Sequence, residues 1–239
     1  MPAHLNTDAA AHPPVFCALD TPDLDRACTL AAQVGPILGG IKLGLEFFSA
    51  QGLDGLAKVC AAAPSAALFV DLKYHDIPNT VAGAVSAISH ALRPMYLNVH
   101  ASGGLAMLTA AQKACHPDSK LLAVTMLTSL DETAMLELGY PGIVMDHVIR
   151  LAKLSQQAGL NGVVCSAHEI EAVRKACGPD FTLMVPGIRP AGAASADQKR
   201  TMTPPEARSK GATHLVIGRP VTHAPDPAAA ARAIIDSLT

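Results

Sequence analysis

The chain has 239 residues, half of them hydrophobic, so it is long enough to bury a large core within one domain. Its 18 Lys and Arg residues nearly balance its 20 Asp and Glu residues, which excludes the basic surface expected of a protein that binds nucleic acid or an anionic membrane. The sequence contains no run approaching the ~20 continuous apolar residues that a membrane-spanning helix needs.

Eight short apolar runs rich in β-branched residues predict eight strands, and Ala-rich segments with helical spacing lie between them. Strand alternating with helix predicts an α/β fold with a parallel sheet, and eight repeats in this length favour a single closed (β/α)8 TIM barrel over an open sheet. We expect this barrel to occupy residues 14–239, with residues 1–13 as a disordered tail. The predicted strands are 15–19, 40–45, 67–72, 95–100, 121–127, 162–166, 181–185 and 214–217, and the predicted helices are 23–34, 53–62, 81–91, 105–114, 146–158 and 167–177.

The six cysteines are scattered through the chain, without C-x-x-C pairs or histidines at zinc-binding spacing. Several lie in apolar runs, where a free cysteine packs as a small hydrophobic side chain. This distribution is typical of a reducing compartment, and residues 1–14 lack the charged and apolar segments of a signal peptide. We therefore expect a cytoplasmic protein.

The third predicted strand ends in the charged motif Asp-x-Lys-x-x-Asp. Because side chains alternate along a strand, Asp71 and Lys73 should point to the same side, and Asp76 follows three residues later. Opposite charges at the end of a buried strand are costly to keep from water. The motif alone is compatible with a structural salt bridge at the barrel mouth as well as with a catalytic site.

Polar residues also collect at the ends of the other predicted strands, where a barrel enzyme carries its active site. This clustering favours a functional pocket over an isolated ion pair. We expect His100 to be a hydrogen-bonded structural residue, and we expect no metal site, because lysines would compete for the carboxylates. The residues at these ends are Asp20, Lys42, Asp71, Lys73, His100, Thr128, Pro186, Arg189, Gly218 and Arg219.

Two acids and two bases, Asp71, Asp76, Lys42 and Lys73, can alternate at this mouth. A lysine between carboxylates stays protonated and is a better proton donor than base. An ionised Asp71 would repel a substrate carboxylate, and departure of CO2 would relieve that repulsion. Lys73 could then stabilise and protonate the remaining carbanion without a cofactor.

The loops after strands 7 and 8 are the usual phosphate site of such barrels. Gly218 lets backbone N–H groups approach an anion, and Arg219 can bind two phosphate oxygens at once. Gln198 lies in the long loop 189–202, which we expect to form a lid that could donate a further hydrogen bond.

With these residues assembled, the chain resembles the orotidine 5'-phosphate decarboxylases, which make UMP in pyrimidine biosynthesis. Single blocks of the resemblance would be weak, but their order and spacing together are specific. The block that begins at Asp71 and ends at Thr80, followed by the Pro-Gly-Ile-Arg loop, is the most specific part. The similar blocks are residues 18–20, 41–44, 71–80, 98–101, 127–129, 185–189, 197–200 and 217–220.

The resemblance implies a role for each predicted site residue and implies that the reaction uses no metal or organic cofactor. Lys73 would protonate C6 of the pyrimidine, and Asp71 would face the leaving carboxylate. A homodimer is implied, in which Asp76 and Thr80 complete the partner's site. Asp20 and Lys42 would bind ribose hydroxyls, Thr128 would bind the pyrimidine amide edge, and Pro186, Arg189, Gln198, Gly218 and Arg219 would surround the phosphate.

Two alternatives stay open. Related sugar-phosphate decarboxylases and aldolase-like synthases share the Asp-x-Lys-x-x-Asp block but use Mg²⁺ to stabilise an enediolate, usually with an acidic ligand on strand 2. Here Glu46 falls beyond the end of that strand. The second alternative is a catalytically silent protein that binds phosphoribosyl compounds.

Overall fold

Eight parallel strands close into a barrel in chain order, and the last strand pairs with the first. This confirms the predicted (β/α)8 barrel. The structure is a computed structural model that describes residues 13–190 and 202–239. Residues 1–12, nearly all of the predicted tail, lie outside the described residues. The strands are β1 (Val15–Ala18), β2 (Gly40–Gly44), β3 (Ala67–Tyr74), β4 (Tyr96–His100), β5 (Lys120–Val124), β6 (Gly162–Val164), β7 (Thr182–Pro186) and β8 (His214–Ile217).

The six predicted helices are all present, together with four that the sequence analysis did not predict. These four are Glu132–Glu137, Pro204–Ser209, Arg219–Thr222 and Pro227–Asp236. Three of these four are short, with six, six and four residues, so hydrophobic periodicity cannot reveal them. The helices are α1 (Leu24–Val34), α2 (Leu45–Ala62), α3 (Pro78–Leu92), α4 (Gly104–Ala114), α5 (Glu132–Glu137), α6 (Val144–Gln157), α7 (Ile170–Cys177), α8 (Pro204–Ser209), α9 (Arg219–Thr222) and α10 (Pro227–Asp236).

Several element boundaries differ from the predicted ones by two or more residues, and two of these differences bear on the site. Helix α2 begins at Leu45, directly after β2, and not at residue 53, because the chain kinks at Gly52, whose φ of 60° interrupts the helical pattern. Strand β5 ends at Val124 and does not reach residue 127, so the predicted site residue Thr128 lies in a turn four residues beyond the strand.

The barrel is filled with side chains and is not a pore. Rings of Phe16, Phe69 and Tyr96 meet edge to face inside it, with centroids 5.7 to 6.3 Å apart. Met184 and Val216 belong to the same inner cluster. Alternate strand residues face outward and join the larger cluster that packs the helices against the sheet. These packed side chains therefore fill the inside of the barrel below its mouth. No helix among the described residues is both long enough and apolar enough to cross a membrane.

The pairing of β3 with β4 is irregular at the charged motif. Val70 pairs with Leu97, and the next pair joins Tyr74 to Val99, so β3 advances four residues while β4 advances two. Inside this bulge Lys73 has a φ of 52°, in the left-handed region that a residue other than glycine rarely adopts. Bulges re-aim side chains and are common next to functional sites.

Candidate active site

A cavity of about 390 Å³ opens at the carboxyl ends of the strands, which is the size typical of a small-molecule site. Residues from the ends of β1, β2, β3, β7 and β8 and from the loops that follow them line this cavity. The structure thus brings together eight of the predicted site residues: Asp20, Lys42, Asp71, Lys73, Pro186, Arg189, Gly218 and Arg219.

Four of these side chains form a row of alternating charge. Lys42 Nζ lies 3.0 Å from Asp20 Oδ1 and 3.2 Å from Asp71 Oδ2, and Lys73 Nζ lies 2.6 Å from Asp71 Oδ1. The two inner side chains, Lys42 and Asp71, are only 9% and 12% exposed, whereas Asp20 at one end is 62% exposed. The row therefore begins at the exposed side chain of Asp20, continues through the buried side chains of Lys42 and Asp71, and ends at the partly exposed side chain of Lys73.

The row fixes the charge of its two buried members. Burial lowers the pKa of Lys42, but the neighbouring carboxylates of Asp71 and Asp20 outweigh burial and raise this pKa above its ordinary value. Burial raises the pKa of Asp71, but Lys42, Lys73 and a hydrogen bond from Asn98 together hold it below its ordinary value. Lys42 is therefore an ammonium and Asp71 a carboxylate at neutral pH.

Asn98 is a site residue that the sequence analysis did not identify. It lies on β4, is completely buried, and bridges the backbone and a side chain of the charged motif. Its Oδ1 accepts a hydrogen bond from the Lys73 N–H at 2.8 Å, and its Nδ2 donates one to Asp71 Oδ1 at 2.7 Å. Two signals for it are present in the sequence: Asn98 is a polar residue inside an apolar strand, and it begins the block 98–101 that shares in the family resemblance.

The loop after β7 and the loop after β8 supply the arginines of the cavity. Gly187 has a φ of 78°, a left-handed conformation that turns the chain after β7 and sends Arg189 into the buried wall. The Arg189 N–H donates to the carbonyl of Met202, which ties together the two ends of the long loop. Arg219 follows Gly218 at the start of α9 and lines the same side of the cavity. Gln198 lies outside the described residues.

Three predicted site residues, Asp76, Thr80 and Thr128, are exposed and do not belong to the described lining of this cavity. Asp76 Oδ1 accepts a hydrogen bond from the Ile77 N–H at 2.6 Å, at the point where α3 begins. Asp76 and Thr80 thus flank the first turn of α3, on the surface of the barrel.

His100 ends β4 and packs against His75, with ring centroids 5.5 Å apart. Burial lowers the pKa of His100, and the nearby His75 and Lys73 lower it further. The ring is therefore neutral near pH 7. His100 is not part of the described cavity lining, and the structural role expected for it stays a prediction.

The closed barrel, the paired acids and bases at its mouth and the two arginines beside them define a (β/α)8-barrel enzyme that acts on a small molecule. Comparison with known proteins gives the family. The chain belongs to the orotidine 5'-phosphate decarboxylase / HUMPS family, whose model matches residues 13–234.

Individual relatives agree with this family. The chain is 52% identical over 233 residues to an orotidine 5'-phosphate decarboxylase of Rhodospirillum rubrum, with 94% of each chain covered. It is 51% identical over 225 residues to one of Novosphingobium aromaticivorans, covering 94% of this chain and 99% of the relative. The crystal structure of the orotidine 5'-phosphate decarboxylase from Lactobacillus acidophilus matches with a TM-score of 0.82 at 33% identity, covering 95% and 99% of the two chains.

Proposed function

We propose that this enzyme decarboxylates orotidine 5'-phosphate to UMP and CO2 in de novo pyrimidine biosynthesis, without a metal or organic cofactor. The observation that carries the proposal is the row Asp20–Lys42–Asp71–Lys73 at the mouth of the barrel. The names of the relatives agree with the substrate.

The reaction needs the two charges nearest the cavity, Asp71 and Lys73. The carboxylate of Asp71 repels the substrate carboxylate at C6, and this repulsion is strong in a partly buried site. When the bond from C6 to the carboxylate breaks, CO2 leaves and the electron pair stays on C6. The Lys73 ammonium stabilises that carbanion and donates a proton to it, which gives UMP, and water then reprotonates Lys73.

The remaining cavity residues bind the parts of the nucleotide that do not react. Asp20 and Lys42 would bind the ribose hydroxyls. Thr128, which does not belong to the described cavity lining, would bind the pyrimidine from the turn after β5. Binding energy from a remote phosphate can be used to organise the site for the transition state. The phosphate would lie among Pro186, Arg189, Gly218 and Arg219, and Gln198 would donate a further hydrogen bond to it.

A homodimer would account for the position of Asp76 and Thr80 outside the cavity of their own chain. Ile77, between them, is 68% exposed, an apolar side chain of the kind that a subunit interface covers. In the proposed dimer Asp76 approaches the partner's Lys73, and Thr80 approaches the partner's substrate.

The cytoplasmic location stays a prediction. All six cysteines fall within the described residues and are free thiols, as expected in a reducing compartment.

The test is loss of the orotidine 5'-phosphate absorbance band on addition of EDTA-treated protein. Conversion to UMP at an undiminished rate is the expected result. No conversion, together with Mg²⁺-dependent turnover of a ketose phosphate, would contradict the proposal. A divalent cation at the row would have to displace ammonium groups, because both carboxylates in it are already paired with lysine.

A further inference from the structure

The single side-chain amide of Asn98 contacts both the Asp71 carboxylate and the main chain of Lys73. The Lys73 N–H donates to Oδ1, and Nδ2 donates to the same Asp71 oxygen that lies 2.6 Å from Lys73 Nζ. We infer that Asn98 is a positioning residue for the decarboxylation, holding the Asp71 carboxylate and the Lys73 main chain in their productive arrangement. This inference rests on the proposed function.

The backbone argument begins with the bulge in β3. Between the pairs Val70–Leu97 and Tyr74–Val99 the regular ladder of β3 and β4 is interrupted. The Lys73 N–H therefore uses the side chain of Asn98 in place of a backbone carbonyl. A left-handed residue with a side chain is strained and persists only when its surroundings hold it. The Asn98 hydrogen bond is one such restraint.

The side-chain argument concerns the orientation of the Asp71 carboxylate. Lys42 approaches Oδ2, whereas Lys73 and Asn98 both approach Oδ1. Donors on both oxygens restrict rotation of the carboxylate. Asn98 adds a donor without adding a charge, so the balance of two acids and two lysines in the row is kept.

Asn98 is 0% exposed, so bulk water does not compete for its hydrogen bonds in the folded protein. It is not among the described residues that line the cavity, so substrate would not touch it. Its loss should therefore disturb the geometry of Asp71 and Lys73 while leaving the contacts that bind the nucleotide. A misplacement of about 1 Å in a catalytic group costs about 100-fold in rate.

The test compares Asn98→Ala with wild type for kcat and KM on orotidine 5'-phosphate and for the Kd of UMP. Asn98→Ala is expected to lower kcat about 100-fold, while KM and the Kd of UMP stay within about threefold of wild type. Far-UV circular dichroism and the Tm verify the fold.

Asn161→Ala is the matched control. Asn161 Oδ1 also accepts a backbone N–H from a neighbouring strand, that of Leu121 at 2.9 Å, but at the amino ends of the strands, far from the cavity. Asn161→Ala should lower the Tm and leave kcat unchanged. If Asn98→Ala does not fold, Asn98→Ser takes its place under the same criteria.

Three outcomes would overturn the inference. The first is a kcat for Asn98→Ala within about threefold of an active wild type. The second is a loss confined to KM. The third is failure of both Asn98 variants to fold while Asn161→Ala folds, which would assign Asn98 to barrel stability. Inactivity of the wild type itself would count against the proposed function and not against the positioning of Asp71 by Asn98.

Discussion

The ammonium of Lys73 contacts the carboxylate of Asp71 at 2.6 Å, although the two residues are separated by only one position in a strand. Regular alternation places both side chains on the inner face of the barrel. The bulge and the left-handed φ of Lys73 then turn its side chain back toward Asp71. The result is an ammonium held beside a carboxylate, the pair to which the proposed mechanism assigns proton donation and repulsion of the substrate carboxylate.

The phosphate role of Arg219 can be tested with a truncated substrate. Loss of a charge-assisted hydrogen bond costs about 1.5 to 3 kcal/mol, so Arg219→Ala should lower kcat/KM for orotidine 5'-phosphate roughly 10- to 100-fold. With orotidine, which lacks the phosphate, the variant and the wild type should react at equal rates. Arg150→Ala on the exposed face of α6 is the control and should match wild type on both substrates. An equal loss on both substrates would show that Arg219 does not act through the phosphate.

Subunit exchange tests whether Asp76 serves the partner's site. Lys73→Ala and Asp76→Ala proteins, each inactive alone, should regain about one quarter of wild-type activity when mixed. Half of the dimers then contain one subunit of each kind, and each of these mixed dimers has one intact site and one doubly broken site. Lys73→Ala mixed with Lys42→Ala should stay inactive, because both residues belong to the cavity of one chain. Absence of recovery in the first mixture, with exchange verified by mass spectrometry, would place Asp76 in its own chain's site.

The stability of the barrel should fall in mild acid because of His214. This residue starts β8, and its ring contacts those of Tyr96 and Phe16 at centroid distances of 5.2 and 5.7 Å. Burial, together with the positive charges of Arg208 and Lys120, lowers the pKa of His214 to about 4. The folded state therefore favours the neutral ring, and its contribution to stability is lost as the pH falls from about 6.5 toward about 4.

Urea unfolding measures this effect of His214. Between pH 7 and pH 5 the free energy of unfolding should fall by roughly 2 kcal/mol from this residue alone. His214→Gln should remove that part of the pH dependence, whereas His168→Gln, at an exposed position, should retain it. An unchanged pH dependence in His214→Gln would contradict the assignment.

The barrel could be predicted from the sequence because each strand is an apolar run bounded by turn residues, and the six predicted helices have helical spacing of apolar residues. The sequence also predicted that Asp71, Lys73 and Lys42 lie close together, because the carboxyl ends of parallel strands meet at one end of the barrel. The ten-residue α10 could have been predicted as well. Asp226 caps it, accepting a hydrogen bond from the Ala229 N–H, and Pro227 follows at its first position.

Other features depend on contacts that no local pattern contains. The left-handed Lys73 is set by pairing with a strand some 25 residues later, and Asn98 differs from an ordinary buried amide only through its two partners. The position of Thr128 was predicted from an apolar run that continues beyond β5, where the ladder to β6 has already ended. Hydrophobicity alone does not mark that end.

The central claim is that Lys73 is the proton donor, and its most direct test is the kcat of Lys73→Ala on orotidine 5'-phosphate. The variant should fold and bind UMP, yet its kcat should fall about 10⁴-fold or more, because both proton donation and stabilisation of the carbanion are lost. Lys113→Ala, on the exposed face of α4, should behave as wild type. A Lys73→Ala protein whose kcat stays within about tenfold of wild type would contradict this mechanism.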